Sequence, residues 1–165
     1  MCRRCGNCCT RFGVCVTPFD IVRIAGETGL KPEDFLDIVP DFENRERTEP
    51  AILIDGAKYL LVLKRKRNEI CIFYSETRNG CSIYASRPML CRTYPFFVRN
   101  KKLVNVQSRA CIECWQPCSP EKERYILDFK QYEQNISKYK KIAEQWNMKG
   151  GGSFKEFLRF ISKSK

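Results

Sequence analysis

The chain has 165 residues, 30 of them Lys or Arg against 19 Asp or Glu, giving a formal net charge of +11. That length suits one domain with room for a modest core, and no stretch approaches the roughly 20 apolar residues a membrane-spanning helix needs. It holds eleven cysteines and no histidine, which excludes mixed cysteine–histidine zinc sites and removes the usual proton shuttle near neutral pH.

The cysteines form three groups: Cys2, Cys5, Cys8, Cys9 and Cys15 near the start; Cys71, Cys81 and Cys91 in mid-chain; Cys111, Cys114 and Cys118 later. The opening residues lead into no apolar run, so no secretory leader is read and the expected location is cytoplasmic. Thiols this close-set in a reducing compartment point to metal ligation rather than to structural disulfides. The positive charge invites a nucleic-acid reading, but thiolate ligands omitted from the formal count offset part of it, and nucleic acid is not the expected partner.

In chain order, residues 1–16 read as a cysteine-rich loop. Thr17, Pro18 and Asp20 open a helix that Gly29 stops. A second helix is expected from Pro32 to Pro40, and residues 41–50 read as loop. Three hairpins follow. Ile52–Ile54 and Tyr59–Leu63 turn at Asp55-Gly56. Ile70–Tyr74 and Ser82–Tyr84 join through Asn79-Gly80, which would bring Cys71 and Cys81 together. Phe96–Val98 and Leu103–Val106 turn at Asn100-Lys101. A long helix then starts with Ser119 as cap and Pro120 in first position. Its Tyr125, Phe129, Tyr132, Ile136, Tyr139, Ala143 and Trp146 recur at alternating steps of four and three, a seam of period 3.5. The seam suits the domain's own core or a partner helix, including self-association. Gly150, Gly151 and Gly152 break the helix, and Ser153 with Glu156 caps a last one that carries Phe154, Phe157, Leu158 and Ile161. The expected fold class is α+β: a small metal-stabilised domain of hairpins and short helices over residues 1–118, and a helical extension over 119–165.

Cys2-x-x-Cys5-x-x-Cys8 follows the spacing that opens a bacterial ferredoxin cluster run, but Phe12 stands where the fourth cysteine would be. The longer pattern is more specific. CRRCGNCC at residues 2–9, Cys71 before Ile72-Phe73, Cys81-Ser82-Ile83-Tyr84, Arg87-Pro88, Cys91-Arg92 and Tyr94-Pro95-Phe96 together resemble the CxxCxxCC cysteine-cluster family of zinc- or iron-chelating domains, the YkgJ type, which includes flagellin lysine N-methylase. The resemblance covers residues 2 to about 111. It implies that Cys2, Cys5, Cys8, Cys9, Cys71, Cys81, Cys91 and Cys111 are metal ligands. Cys15, Cys114 and Cys118 are additional thiols. With Cys111 they could form a separate site of four, and Cys114 or Cys118 could stand in for Cys111 as the eighth ligand.

Sulfur ligands do not separate zinc from an iron–sulfur cluster. The number of thiolates and the repeated two-residue spacing favour an iron–sulfur cluster, of the 4Fe–4S kind, with zinc as the alternative. Arg87, Arg92 and Arg109 stand near cysteines and are expected to neutralise the thiolates and hydrogen-bond around them. Gly-rich phosphate loops and nucleophile elbows are absent from the sequence. The reading is a metal-binding accessory, electron-transfer or cluster-carrier protein. The alternatives are an S-adenosylmethionine-dependent protein lysine N-methyltransferase, which the family resemblance alone implies, and a zinc-stapled interaction module.

Overall fold

The computed structural model describes residues 5–42, 48–106, 110–111 and 116–163. The fold is α+β, with three small antiparallel sheets, several short helices and one long C-terminal helix. Among the described residues, no helix is long and apolar enough to cross a membrane.

The first cysteine segment is not wholly loop: Asn7–Arg11 form a short helix, α1. Residues 14–16 then run beside the later strand β3 (Ala57–Leu63). Val16 N–H donates to Leu61 O at 3.1 Å, and Leu63 N–H donates to Val14 O at 2.9 Å.

Helix α2 (Pro18–Thr28) begins at Thr17 and ends on Gly29, whose φ of 69° is left-handed. Its cap is a reciprocal box: Thr17 N–H donates to the Asp20 carboxylate at 2.9 Å, and Asp20 N–H returns to Thr17 Oγ1 at 3.3 Å.

The helix expected from Pro32 to Pro40 is shorter. Only Pro32–Phe35 are helical (α3), and Leu36–Pro40 form a strand, β1. Pairing decides this. β1 lies antiparallel to β3 from Leu36 opposite Leu63 to Pro40 opposite Tyr59, and Ile38 and Val39 are β-branched residues suited to it. β3 also pairs with β2 (Ile52–Ile54) through a two-residue turn. Asp55 and Gly56 there have φ of 47° and 83°, the doubly left-handed turn that Asp-Gly favours. The sheet order β1-β3-β2 puts β3 in the centre, and its last four residues, Leu60 to Leu63, are buried.

The middle hairpin is shorter than expected, because only Tyr74–Ser75 (β4) and Gly80–Cys81 (β5) pair. Helix α4 (Met89–Thr93) follows, an element the sequence reading lacked. The third hairpin, β6 (Phe96–Arg99) and β7 (Lys102–Asn105), turns at Asn100-Lys101 as expected.

Helix α5 runs over Ser119–Met148. Its N-cap is Cys118, one residue before the Ser119 expected, and Cys118 N–H donates to the Glu121 carboxylate at 3.1 Å. The seam faces inward: Tyr125, Tyr132, Ile136, Tyr139, Ala143 and Trp146 are all buried. Trp146 Nε1 donates to Leu53 O at 2.8 Å, and Asn147 clasps the β2 backbone through Ala51 O at 3.0 Å and Leu53 N–H at 2.8 Å. The seam is therefore packed on the chain's own core. Gly151 crosses directly over Leu53, where a Cβ would lie 2.4 Å from the Leu53 carbonyl oxygen.

Helix α6 (Phe154–Lys163) also packs home, with fully buried Phe157 5.4 Å from the Trp146 ring. One apolar cluster runs from Val16 and Ile24 through Leu61 and Phe73 to Tyr139 and Phe157, so the helical extension completes the same core as the cysteine-bearing segments.

Candidate metal centre

Six thiols from four separate segments line one cavity of about 450 Å³. Cys5 precedes α1, and Cys8 and Cys9 ride on it. Cys71 follows β3, Cys81 ends β5, and Cys91 sits on α4. Much of the remaining wall is apolar, including Val14, Leu63, Phe73, Ile83 and Leu90.

Local chemistry fixes each contributor. Gly6 has a φ of 77°, and a Cβ there would lie 2.5 Å from the Tyr74 ring. Only glycine turns the chain here while letting Tyr74 close over it. Tyr74 is held from its other end, its hydroxyl donating to Asn79 Oδ1 at 2.6 Å. Cys71 N–H donates to Cys9 O at 2.9 Å, tying the first cysteine group to the second through backbone. Cys91 is positioned at longer range. Asp20, 1 % exposed, accepts from Met89 N–H at 2.9 Å as α4 begins, while capping α2 and pairing with Arg23 at 2.5 Å.

The electrostatics are uneven across the cavity. Cys8 and Cys9 Sγ lie 4.0 Å apart. The hydrogen bond from Cys9 is the main influence pulling the Cys8 thiol down to about 7, and the charge of Arg87 assists. Cys9, as the donor, is pushed up, and burial pushes it further. Burial likewise raises Cys71, Cys81 and Cys91, and the neighbouring thiols add to it. Of these thiols, Cys8 is the one whose surroundings favour the thiolate.

Arg87 lines the cavity with its guanidinium stacked 3.9 Å above the Tyr84 ring. Arg92 does not reach it. Arg92 braces α4 from behind, donating to Arg87 O at 3.3 Å and to Ala85 O.

The other expected ligands fall elsewhere. Cys15 lies opposite Val62 on the edge of β3. Its neighbour Val14 lines the cavity, and side chains alternate along extended chain, so Cys15 faces away, toward α5. It lies close enough to Tyr132 and Tyr139 to add to the effect of burial, which raises both hydroxyls. Cys118 caps the start of that helix, about four turns before Tyr132. Cys111 is half-buried outside the cavity lining. Cys2, Cys114 and Arg109 lie outside the described residues.

The donor set is all sulfur and suits zinc or iron. Among the described residues, no three of the thiols stand close enough together to grip a single ion. Nothing local signals α4 or the reach of Asp20 to it, since that contact joins residues 69 positions apart.

An α+β domain that gathers free thiols from dispersed segments around one cavity belongs to the class of cysteine-cluster chelating domains. Residues 1–112 match the family model CxxCxxCC, described as "Putative zinc- or iron-chelating domain". The match covers more than half of the chain, and the chain belongs to that family. Comparisons with curated proteins and with solved structures give no significant match.

Proposed function

We propose that this protein holds an iron–sulfur cluster in the thiol cavity and acts as an accessory, electron-transfer or cluster-carrier component. The observation that carries the reading is the convergence of Cys5, Cys8, Cys9, Cys71, Cys81 and Cys91 on one cavity. Six thiols supply the four that either a tetrahedral zinc or a cluster takes, and a volume of about 450 Å³ is far larger than a lone ion needs. Arg87 supplies a positive charge beside the thiolates. Residues 1–118 carry the metal, and residues 119–165 are the helical part that completes the core. The six cysteines that line the cavity are free thiols, which suits a reducing compartment such as the cytoplasm.

Zinc is the second reading, on one specific distance. Two thiolates on a tetrahedral zinc at about 2.3 Å lie about 3.8 Å apart, close to the 4.0 Å between Cys8 and Cys9 Sγ. The methyltransferase reading rests on family likeness alone.

Oxygen-free purification followed by elemental analysis, visible absorption and electron paramagnetic resonance decides between the metals. A brown protein with iron, acid-labile sulfide and a broad shoulder in the blue is the expected result. A colourless protein with stoichiometric zinc overturns the cluster in favour of the staple.

A further inference from the structure

A second, smaller cavity of about 50 Å³ adjoins the thiol cavity. Tyr84 and Arg87 line both, so one cation–π stack forms the partition between them. Arg92 and Arg124 complete a set of three guanidiniums around the smaller space, with Glu121 and Asp128 on the side of α5.

Two of the three guanidiniums are fixed in place by carbonyls. Arg87 donates from Nη1 to Tyr84 O at 2.5 Å, and Arg92 donates from Nε to Arg87 O at 3.3 Å and from Nη2 to Ala85 O. Each guanidinium has five N–H donors, so these bonds orient the planes without exhausting them. The acidic groups do not match them. Glu121 is engaged at the α5 cap. Asp128 stands 4.0 Å from Arg92 Nη1, beyond hydrogen-bonding distance. Arg124 is exposed and makes no hydrogen bond or ion pair among the described residues.

We propose that this cavity binds a small oxyanion, the carboxylate or phosphate head group of a ligand. Planar guanidinium forks match oxyanion geometry, and here two of the three are already oriented, which lowers the ordering cost of binding. At 10–15 Å³ for each water-sized atom, the space holds roughly three or four oxygens, enough for the head group and not for its body. The site stands on the arginines alone and does not depend on which metal the larger cavity takes.

The test is calorimetric titration of the full-length protein, as purified, with inorganic phosphate and separately with acetate, against chloride at equal ionic strength. Saturable binding of one anion per chain is expected with at least one of the two, and the one that saturates identifies the head group. Arg124→Gln, an exposed substitution away from the core, should weaken it about tenfold, and Asp128→Asn should tighten it. No saturable heat above chloride with either anion overturns the proposal, as does undiminished affinity in Arg124→Gln or weaker binding in Asp128→Asn. Metal content, measured on the same samples, reports on the cluster reading separately.

Discussion

Asp20 is the perturbation that tests how the cavity is assembled. It is a buried carboxylate with three tasks: accepting from Thr17 in the α2 capping box, pairing with Arg23, and accepting the Met89 N–H that positions α4 and so Cys91. Asp20→Ala removes the reciprocal half of the α2 capping box, at about 1 kcal/mol. It orphans a buried backbone N–H, at about 1–3 kcal/mol. It strips a partner from Arg23, which keeps its bonds to the Ser86 and Arg87 carbonyls, so that loss is about 0–1 kcal/mol. Together these come to about 2–5 kcal/mol, against a total of about 5–15 kcal/mol for a domain of this kind. Asp20→Asn keeps an acceptor oxygen and should lose less than half as much. Urea unfolding of metal-stripped protein gives the stability. Thiol labelling mapped by mass spectrometry gives the exposure of Cys91, which should rise in Asp20→Ala. Unfolding within about 0.5 kcal/mol of the parent, with Cys91 labelled at the parental rate, would refute the claim that Asp20 clasps α2 to α4.

Cys91→Ser or Cys81→Ser should lose bound metal and melt lower, because ligation and folding are coupled; Cys15→Ser, which faces α5, should keep its metal, as elemental analysis of the three variants will show. Tyr139 is 1 % exposed, and among the described residues its hydroxyl meets no hydrogen-bond partner. Removing that hydroxyl in Tyr139→Phe should raise stability by about 1 kcal/mol, whereas Tyr139→Ala should lower it by about 3–5 kcal/mol in urea unfolding. In reduced, metal-stripped protein, Cys9, Cys71, Cys81 and Cys91 all hold protons above the ordinary thiol value of 9.0. The fold then retains protons that the unfolded chain releases, so stability is present below about pH 9 and falls as pH rises beyond it. Metal-loaded protein has no thiol protons to lose at its ligands, so the gap in melting temperature between loaded and stripped samples should widen from pH 8 to pH 10.

Features decided within a few residues were legible in the sequence. Thr17, Pro18, Asp20 and Gly29 bound α2, Asp55-Gly56 turns the first hairpin, and Ser153 with Glu156 caps α6, because each is a local exchange of hydrogen bonds or a local demand for left-handed backbone. Features decided by distant partners were not. Leu36 to Pro40 carry a proline-led start that reads as helix, and only the central strand β3 makes them a strand. The seam of α5 has the same spacing whether it meets a partner or its own sheet, and its packing through Trp146 and Asn147 onto the β2 backbone is decided by distant contacts. Of the cysteines, the family pattern singled out all six that line the cavity, but not the turned-away direction of Cys15, which follows from strand alternation once Val14 is seen at the cavity wall. Cys118 became a helix cap because the acceptor of its N–H, Glu121, lies one position earlier in the capping pattern than a Ser119 start requires.

The family likeness stops at residue 112, yet the apolar flank of the sheet is sealed by side chains that come after it, among them Tyr139, Trp146 and Phe157. Trimming the polypeptide to its recognisable portion would lay that flank open to water, and the trimmed product should clump rather than chelate. A relative that keeps the thiol cavity but lacks these two helices must clothe the same flank by another route, through a different tail or a neighbouring molecule.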